Sequence, residues 1–97
     1  MRQGYVYILT TTTNSVLYTG STIDLIKRMY EHSTGTYPNA FTKKYSVYKL
    51  IYYEYFQDFY FARVREKQIK EWKREWKMDL IQRMNPEFRD LYEELLR

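Results

Sequence analysis

The sequence contains no cysteine, three glycines, two prolines, one histidine and no long apolar run. Without thiols, a disulfide scaffold and a cysteine-ligated zinc or iron–sulfur site are excluded. A membrane-spanning helix needs about 20 predominantly apolar residues, and no segment supplies them. Residues 1–7 lack a basic region followed by an apolar core, so we expect no secretory signal, no membrane association and a cytoplasmic location.

The residues that are abundant are hydrophobic, aromatic and basic. The 97 residues are 44% hydrophobic and carry a net charge of +4, and twelve of them are tyrosine. This length and composition predict one folded domain over residues 1–97. Basic charge attracts polyanions, whereas tyrosine both stacks on bases and fills strands. The composition alone is therefore compatible with nucleic-acid binding without requiring it.

The basic excess is concentrated in residues 63–83, where eight Lys and Arg side chains face four Asp and Glu. This segment is either a solvated helix face with i,i+4 ion pairs or a surface that faces phosphates, and the two are compatible. The candidate nucleic-acid-binding residues are Lys67, Lys70, Lys73, Arg74 and Lys77 in this segment, with Lys27, Lys43 and Lys44 before it.

Hydrophobic periodicity and turn residues predict the order β-β-α-β-α-α. The expected elements are strands at 4–10, 16–21 and 45–56, a helix at 23–33, one long or two consecutive helices at 59–84, and a final helix at 87–96. The third strand is apolar on both faces and is expected to be central. The fold class is therefore α+β, a three-stranded antiparallel sheet flanked by helices.

Two apolar faces are expected to pack inward. The first lies on the helix at 23–33 and consists of Ile23, Ile26, Met29 and Tyr30. The second repeats every four residues and consists of Trp72, Trp76 and Leu80.

Glu66 falls on the apolar stripe formed by Phe59, Ala62 and Ile69. A carboxylate in that position must be paired, hydrated in a cleft or bound to a cation. Lys70 or a tyrosine hydroxyl would be a structural partner. The functional alternative is a ligand for a hard divalent cation, which prefers oxygen donors.

Arg28 and His32 lie one helical turn apart, on a face beside the first apolar stripe. They are either exposed surface residues or a pair suited to phosphate chemistry. In the second case, the guanidinium neutralises charge on a phosphoryl group and the imidazole titrates near neutrality.

Tyr5 and Tyr7 share one strand face, and Tyr18 joins them if the hairpin loop has an even number of residues. The three are either a half-buried aromatic sheet or contain a phenol that acts as general base or positions a water. Gly20 would then leave space beside them, because it has no side chain.

Together these residues resemble the GIY-YIG nuclease superfamily. The first motif is present as Tyr5-Val6-Tyr7 and the second as Tyr18-Thr19-Gly20, so Tyr5 and Thr19 replace the Gly and Ile of the name. Arg28, His32, Glu66 and Asn85 follow in the family's order. The runs at 65–72 and 85–91 resemble the small stand-alone single-domain branch.

The resemblance implies a DNA endonuclease that uses one Mg²⁺ or Mn²⁺ ion. It implies that Glu66 holds the metal, Tyr7 activates or positions the attacking water, Tyr18 and His32 adjust its proton, Arg28 stabilises the phosphate, and Asn85 supports the site. Characterised relatives usually carry a separate targeting domain, so specificity here is expected to be low, structure-based or supplied by a protein partner. A DNA-binding module with little turnover and a protein-docking adaptor are the alternatives.

Overall fold

The computed structural model describes residues 2–34 and 47–97, without the side chains of residues 33 and 34. The elements in this part of the chain are three strands and four helices. They are β1 (Gly4–Thr10), β2 (Leu17–Thr22), α1 (Leu25–Thr34), β3 (Lys49–Phe56), α2 (Phe59–Lys70), α3 (Arg74–Met84) and α4 (Tyr92–Leu95). The strands form one antiparallel sheet in the order β2-β1-β3. The predicted α+β class and its three-stranded antiparallel sheet are confirmed.

β1 is the central strand, so the expectation that the third strand is central was wrong. β1 is buried on both faces. β3 is also apolar on both faces, because its residues contribute to the core on each side of the sheet. β3 also begins later than expected, at Lys49, and residues 45 and 46 lie outside the described part of the chain.

Two apolar layers sandwich the sheet. On one face, Val6 and Ile8 of β1 pack with Ala62 and Ile69 of α2 and with Ile81 of α3. On the other face, Tyr7 and Leu9 pack with Leu25 and Met29 of α1 and with Leu91 near the carboxyl end of the chain. Alternation along β1 thus assigns Tyr7 to the α1 side and its neighbours to the α2 side.

The β1–β2 hairpin sets the register of the motif residues. Six residues separate the two strands, and Asn14 in this loop adopts a φ of 59°, a left-handed conformation that Asn tolerates better than most residues. Tyr7 is paired with Gly20, and Leu9 is paired with Tyr18. Directly paired residues share a face, so Tyr18 lies on the same side of the sheet as Tyr7, as the even loop length predicts.

α1 is rotated relative to the predicted apolar stripe. Its buried face contains Leu25, Met29 and His32, whereas Ile23, Ile26 and Tyr30 are exposed. The prediction chose the stripe with more apolar residues, but the polar His32 occupies a core position next to Tyr7.

The segment after β3 forms two helices that are separated at residues 71–73. Asp58 caps α2 by accepting a hydrogen bond from the backbone N–H of Tyr60, as expected. Trp72 and Leu80 pack against the core, but Trp76 is 53% exposed, contrary to the prediction. Its ring instead lies edge-on against Trp72, with centroids 6.5 Å apart, beside the Lys73 ammonium.

The last helix is shorter than predicted and begins at Tyr92 rather than at residue 87. Asn85 ends α3, and its side chain accepts a hydrogen bond from the backbone N–H of Arg89. Phe88 adopts a φ of 54° in the intervening turn, which no continuous helix allows.

Among the described residues, no helix is long and apolar enough to cross a bilayer.

Candidate active site at the β2 edge

Tyr7 projects its phenol across the backbone of β2 at Gly20. A Cβ atom at position 20 would lie 2.5 Å from Tyr7 Oη and 2.7 Å from its Cζ. Real Cβ atoms do not approach so closely, so glycine is needed for the phenol to reach this edge strand. The predicted role of Gly20 in leaving space for the tyrosine cluster is confirmed.

Tyr7, Tyr18 and His32 form a compact group of three rings. Their centroids are 6.1 to 6.4 Å apart, and Tyr7 Oη lies 3.5 Å from His32 Nε2. His32 is only 2% exposed, so the alternative of a surface histidine was wrong. The helical spacing that buries Leu25 and Met29 brings His32, at the end of the same face, onto the phenol.

Arg28 sits one turn before His32 and acts on both groups. Burial raises the pKa of the Tyr7 phenol above its usual range, the nearby Tyr18 adds to this, and the charge and hydrogen bond of Arg28 oppose it. Burial lowers the pKa of His32, and Arg28 lowers it further, against a smaller opposite effect of Glu31. Both rings are therefore neutral near pH 7. Arg28 itself also pairs with Glu31 at 3.6 Å.

Glu66 reaches the same strand from α2, on the opposite face of the sheet. Its carboxylate accepts a hydrogen bond from the hydroxyl of Ser21, the residue after Gly20, and Oε2 lies 2.7 Å from Lys70 Nζ. The side chain is 19% exposed. Its negative charge adds slightly to the raised pKa of Tyr7, after burial and the nearby Tyr18.

The sheet edge explains how residues from two faces meet. β2 has a partner strand on one side only, so side chains from α1 and α2 approach its free edge from above and below the sheet. Tyr7, Tyr18, Arg28, His32 and Glu66 are brought to this edge. Within the described residues, no three His, Asp or Glu side chains gather in the manner of a multidentate metal site.

Asn85 lies beside β3, at the opposite edge of the sheet. Its amide donates to the backbone carbonyl of Ile51 at 3.1 Å and to that of Arg89 at 2.8 Å. With the bond accepted from Arg89 N–H, the amide is engaged in anchoring the carboxyl-terminal segment. The structure therefore does not bring Asn85 to the other five predicted site residues.

The predicted basic residues divide into two groups. Lys27 lines a cleft with Arg28, and Lys67 and Lys70 line a groove with Glu66. The remaining ones belong to the α3 region, where Arg74 donates to the carbonyl of Asn14 in the hairpin; they are Lys73, Arg74 and Lys77. Lys43 and Lys44 lie outside the described residues.

Ser21 was not predicted as a site residue, although it directly follows the second motif. Its position on the face opposite Tyr7, which strand alternation gives, was the available signal. The groove residues Tyr60, Arg63 and Val64 were also missed, because only their shared helical face relates them to Glu66.

Comparisons with known proteins identify relatives of this chain. A family model described as the GIY-YIG catalytic domain matches residues 3–79. A UPF0213 protein from Syntrophus aciditrophicus (strain SB) is 39% identical over 87 residues, which cover 90% of this chain and 98% of the relative. A UPF0213 protein from Clostridium perfringens (strain 13 / Type A) is 40% identical over 77 residues, 79% of this chain and 81% of the relative.

A solved structure is also similar over most of its length. It is the solution NMR structure of a UPF0213 protein from Bacillus halodurans, with 26% sequence identity and a TM-score of 0.57. The match covers 91% of this chain and 92% of that one.

Proposed function

This chain belongs to the GIY-YIG family, which implies nuclease activity, and we propose that it is a metal-dependent endonuclease that hydrolyses DNA phosphodiester bonds. The observation that supports this most is the meeting of Tyr7, Arg28 and Glu66 at the free edge of β2. A hydrolase of this kind needs a water-positioning group, a cation for the phosphate charge and a carboxylate for a metal. The three side chains provide one of each.

Glu66 fits the requirements of a Mg²⁺ or Mn²⁺ site. Mg²⁺ is commonly held by one or two carboxylates, with waters and substrate phosphate oxygens completing its shell, so a single carboxylate suffices. The carboxylate already attracts one cation, the ammonium of Lys70 at 2.7 Å. A metal bound there would supply Lewis-acid polarisation of the scissile phosphate.

The Arg28 guanidinium is placed to neutralise negative charge on the phosphate. Guanidinium groups match phosphate oxygens in geometry and stay protonated, so Arg28 stabilises the extra negative charge of the pentavalent transition state. Glu31 holds this side chain near the phenol in the free protein. Lys27, in the same cleft, adds positive charge at its rim.

Tyr7 acts as a neutral phenol in this proposal, not as a preformed phenolate. Its raised pKa keeps Oη protonated until the attacking water transfers its own proton to Oη. The neutral His32, whose Nε2 is 3.5 Å away, accepts the proton that Tyr7 releases. Tyr18 packs against both rings and holds this relay in place.

A DNA-binding module with little turnover is the second candidate. The ion pair between Lys70 and Glu66 favours it, since the ammonium competes with a metal ion for the carboxylate. In either case we propose that a protein partner or the DNA structure supplies specificity.

The test is a cleavage assay on branched, nicked, single-stranded and duplex DNA, with Mg²⁺, with Mn²⁺ and with chelator. We expect cleavage only with metal, and we expect Glu66→Gln to reduce it to background while DNA binding is kept. The matched control is Glu71→Gln, which removes an exposed carboxylate at the end of the same helix and should leave the rate unchanged. Metal-dependent cleavage by Glu66→Gln at the wild-type rate would refute the assigned role of Glu66.

A further inference from the structure

The outer face of α2 exposes three large apolar side chains beside its charged residues. Tyr60 is 65% exposed, Phe61 57% and Val64 38%, all within five residues. Single exposed apolar side chains are common, but a contiguous group next to a functional site indicates a binding surface. Here the group borders the helix face that carries Glu66.

A groove of about 550 Å³ follows this face. Its lining alternates aromatic, aliphatic and basic side chains; it consists of Tyr60, Arg63, Val64, Glu66, Lys67 and Lys70. Tyr60, Val64, Lys67 and Lys70 are three or four residues apart and so lie along one side of the helix. At 1.5 Å per residue, Tyr60 lies about 9 Å from Glu66 along the axis. The groove thus joins an aromatic end to the candidate metal ligand.

The chemistry of the groove matches a nucleic-acid strand. Arg63, Lys67 and Lys70 supply three cations, and the single acid that lines it, Glu66, is already paired with Lys70. Such a combination of backbone-tracking cations with an exposed aromatic ring is how proteins hold single strands. The Tyr60 ring also packs edge-on against Phe61, with centroids 5.3 Å apart.

The exposed ring favours an unpaired strand over a duplex. In a duplex, base faces are stacked inside the helix and offer only their edges to a protein, so Tyr60 would have nothing to stack on. An unpaired strand whose phosphate lies at Glu66 has bases free to reach a ring about 9 Å away.

We propose that this groove binds an unpaired DNA strand flanking the scissile phosphate, with Tyr60 stacking on a base and with Arg63 and Lys67 contacting phosphates. The placement beside the scissile phosphate rests on the proposed nuclease function, whereas strand binding by the groove does not.

The test measures binding by fluorescence anisotropy in the presence of chelator, so that no cleavage is involved. The probes are a labelled oligothymidylate and a blunt duplex with the same number of phosphates. Loss of one base–aromatic stack weakens binding about five- to hundredfold, so Tyr60→Ala should lower the affinity for the single strand by this amount and leave the duplex affinity unchanged. Tyr60→Phe keeps the ring and should bind as wild type does.

The matched control is Tyr55→Ala, which removes a tyrosine of similar exposure, 53%, from the far edge strand β3. It should leave both affinities unchanged. Equal single-strand binding by Tyr60→Ala and wild type would overturn the proposal. So would tighter binding to polyglutamate than to the oligothymidylate, since that result would assign the groove to an acidic protein partner.

The two proposals fail in different ways. If the wild type cleaves DNA with metal but Tyr60→Ala binds single strands normally, only the groove assignment is refuted. If Tyr60→Ala loses single-strand binding but the wild type never cleaves, the groove is supported and the nuclease proposal is refuted.

Discussion

Tyr7 is the residue on which the candidate site depends most. Its ring is buried at 1% exposure, yet its hydroxyl reaches the free edge of the sheet because Gly20 has no Cβ. The same burial that holds the phenol in place raises its pKa and keeps it protonated. Packing therefore sets both the position of the hydroxyl and its protonation state, and neither is a property of tyrosine alone.

Gly20→Ala tests this close approach. The new Cβ would meet Oη at 2.5 Å and Cζ at 2.7 Å, and we expect a loss of about 1–3 kcal/mol in unfolding free energy, as is typical of overpacking. Tyr7→Phe removes the Oη atom, so the double variant should be more stable than the sum of the two single changes predicts. Urea unfolding of the four proteins measures this. Strict additivity would show that the ring and the added methyl group do not touch.

At the scale of elements, the sequence predicted the order of strands and helices but not how α1 is rotated, and it left open whether residues 59–84 form one helix or two. Strand alternation placed Tyr18 on the face of Tyr7 only on the condition of an even loop, which the six-residue loop of the structure meets. The cap at Asp58 located the start of α2. The rotation of α1 was missed because His32 is polar. Its burial follows from a tertiary neighbour, the ring of Tyr7, and helical periodicity alone contains no information about that contact.

The carboxyl-terminal segment illustrates a second reason for failure. Pro86 is well suited to start a helix, which is why a helix from residue 87 was expected. The side chain of Asn85 instead bonds the backbone of Ile51 in β3 and that of Arg89 after the turn, and Phe88 takes a left-handed conformation. Side-chain competition for backbone groups depends on the position of β3, and a local sequence pattern does not reveal it.

Asn85→Ala distinguishes an anchoring role from a catalytic one. The substitution leaves the buried Ile51 carbonyl and the two part-buried backbone groups of Arg89 without their partner, and a buried group left unsatisfied costs about 1–3 kcal/mol. We expect the variant to lose at least about 2 kcal/mol in urea unfolding but to keep the single-turnover cleavage rate under folding conditions. Gln82→Ala, an exposed change on α3, is the control. A lower cleavage rate without a loss of stability would instead show that Asn85 takes part in catalysis.

At the scale of the whole molecule, the fold concentrates function on one edge of the sheet. The helices on the two faces approach β2 from opposite sides, so Arg28 and Glu66, 38 positions apart in the sequence, become neighbours of one phenol. The same geometry separates the basic residues of the segment 63–83 into those at the site and those away from it. Lys67 and Lys70 lie at the site, whereas Arg74 binds to the hairpin and Lys73 lies against Trp76.

The central claim is that side chains from separate elements act on one phosphate, and a double-mutant cycle in the single-turnover cleavage rate tests it most directly. Arg28→Ala alone should slow the reaction about 10²- to 10³-fold, as loss of a charge-stabilising group does. Residues that act as a unit are strongly non-additive. Tyr7→Phe combined with Arg28→Ala should therefore be little slower than the slower single variant. A double variant slowed by the full product of the two single effects would contradict a shared site.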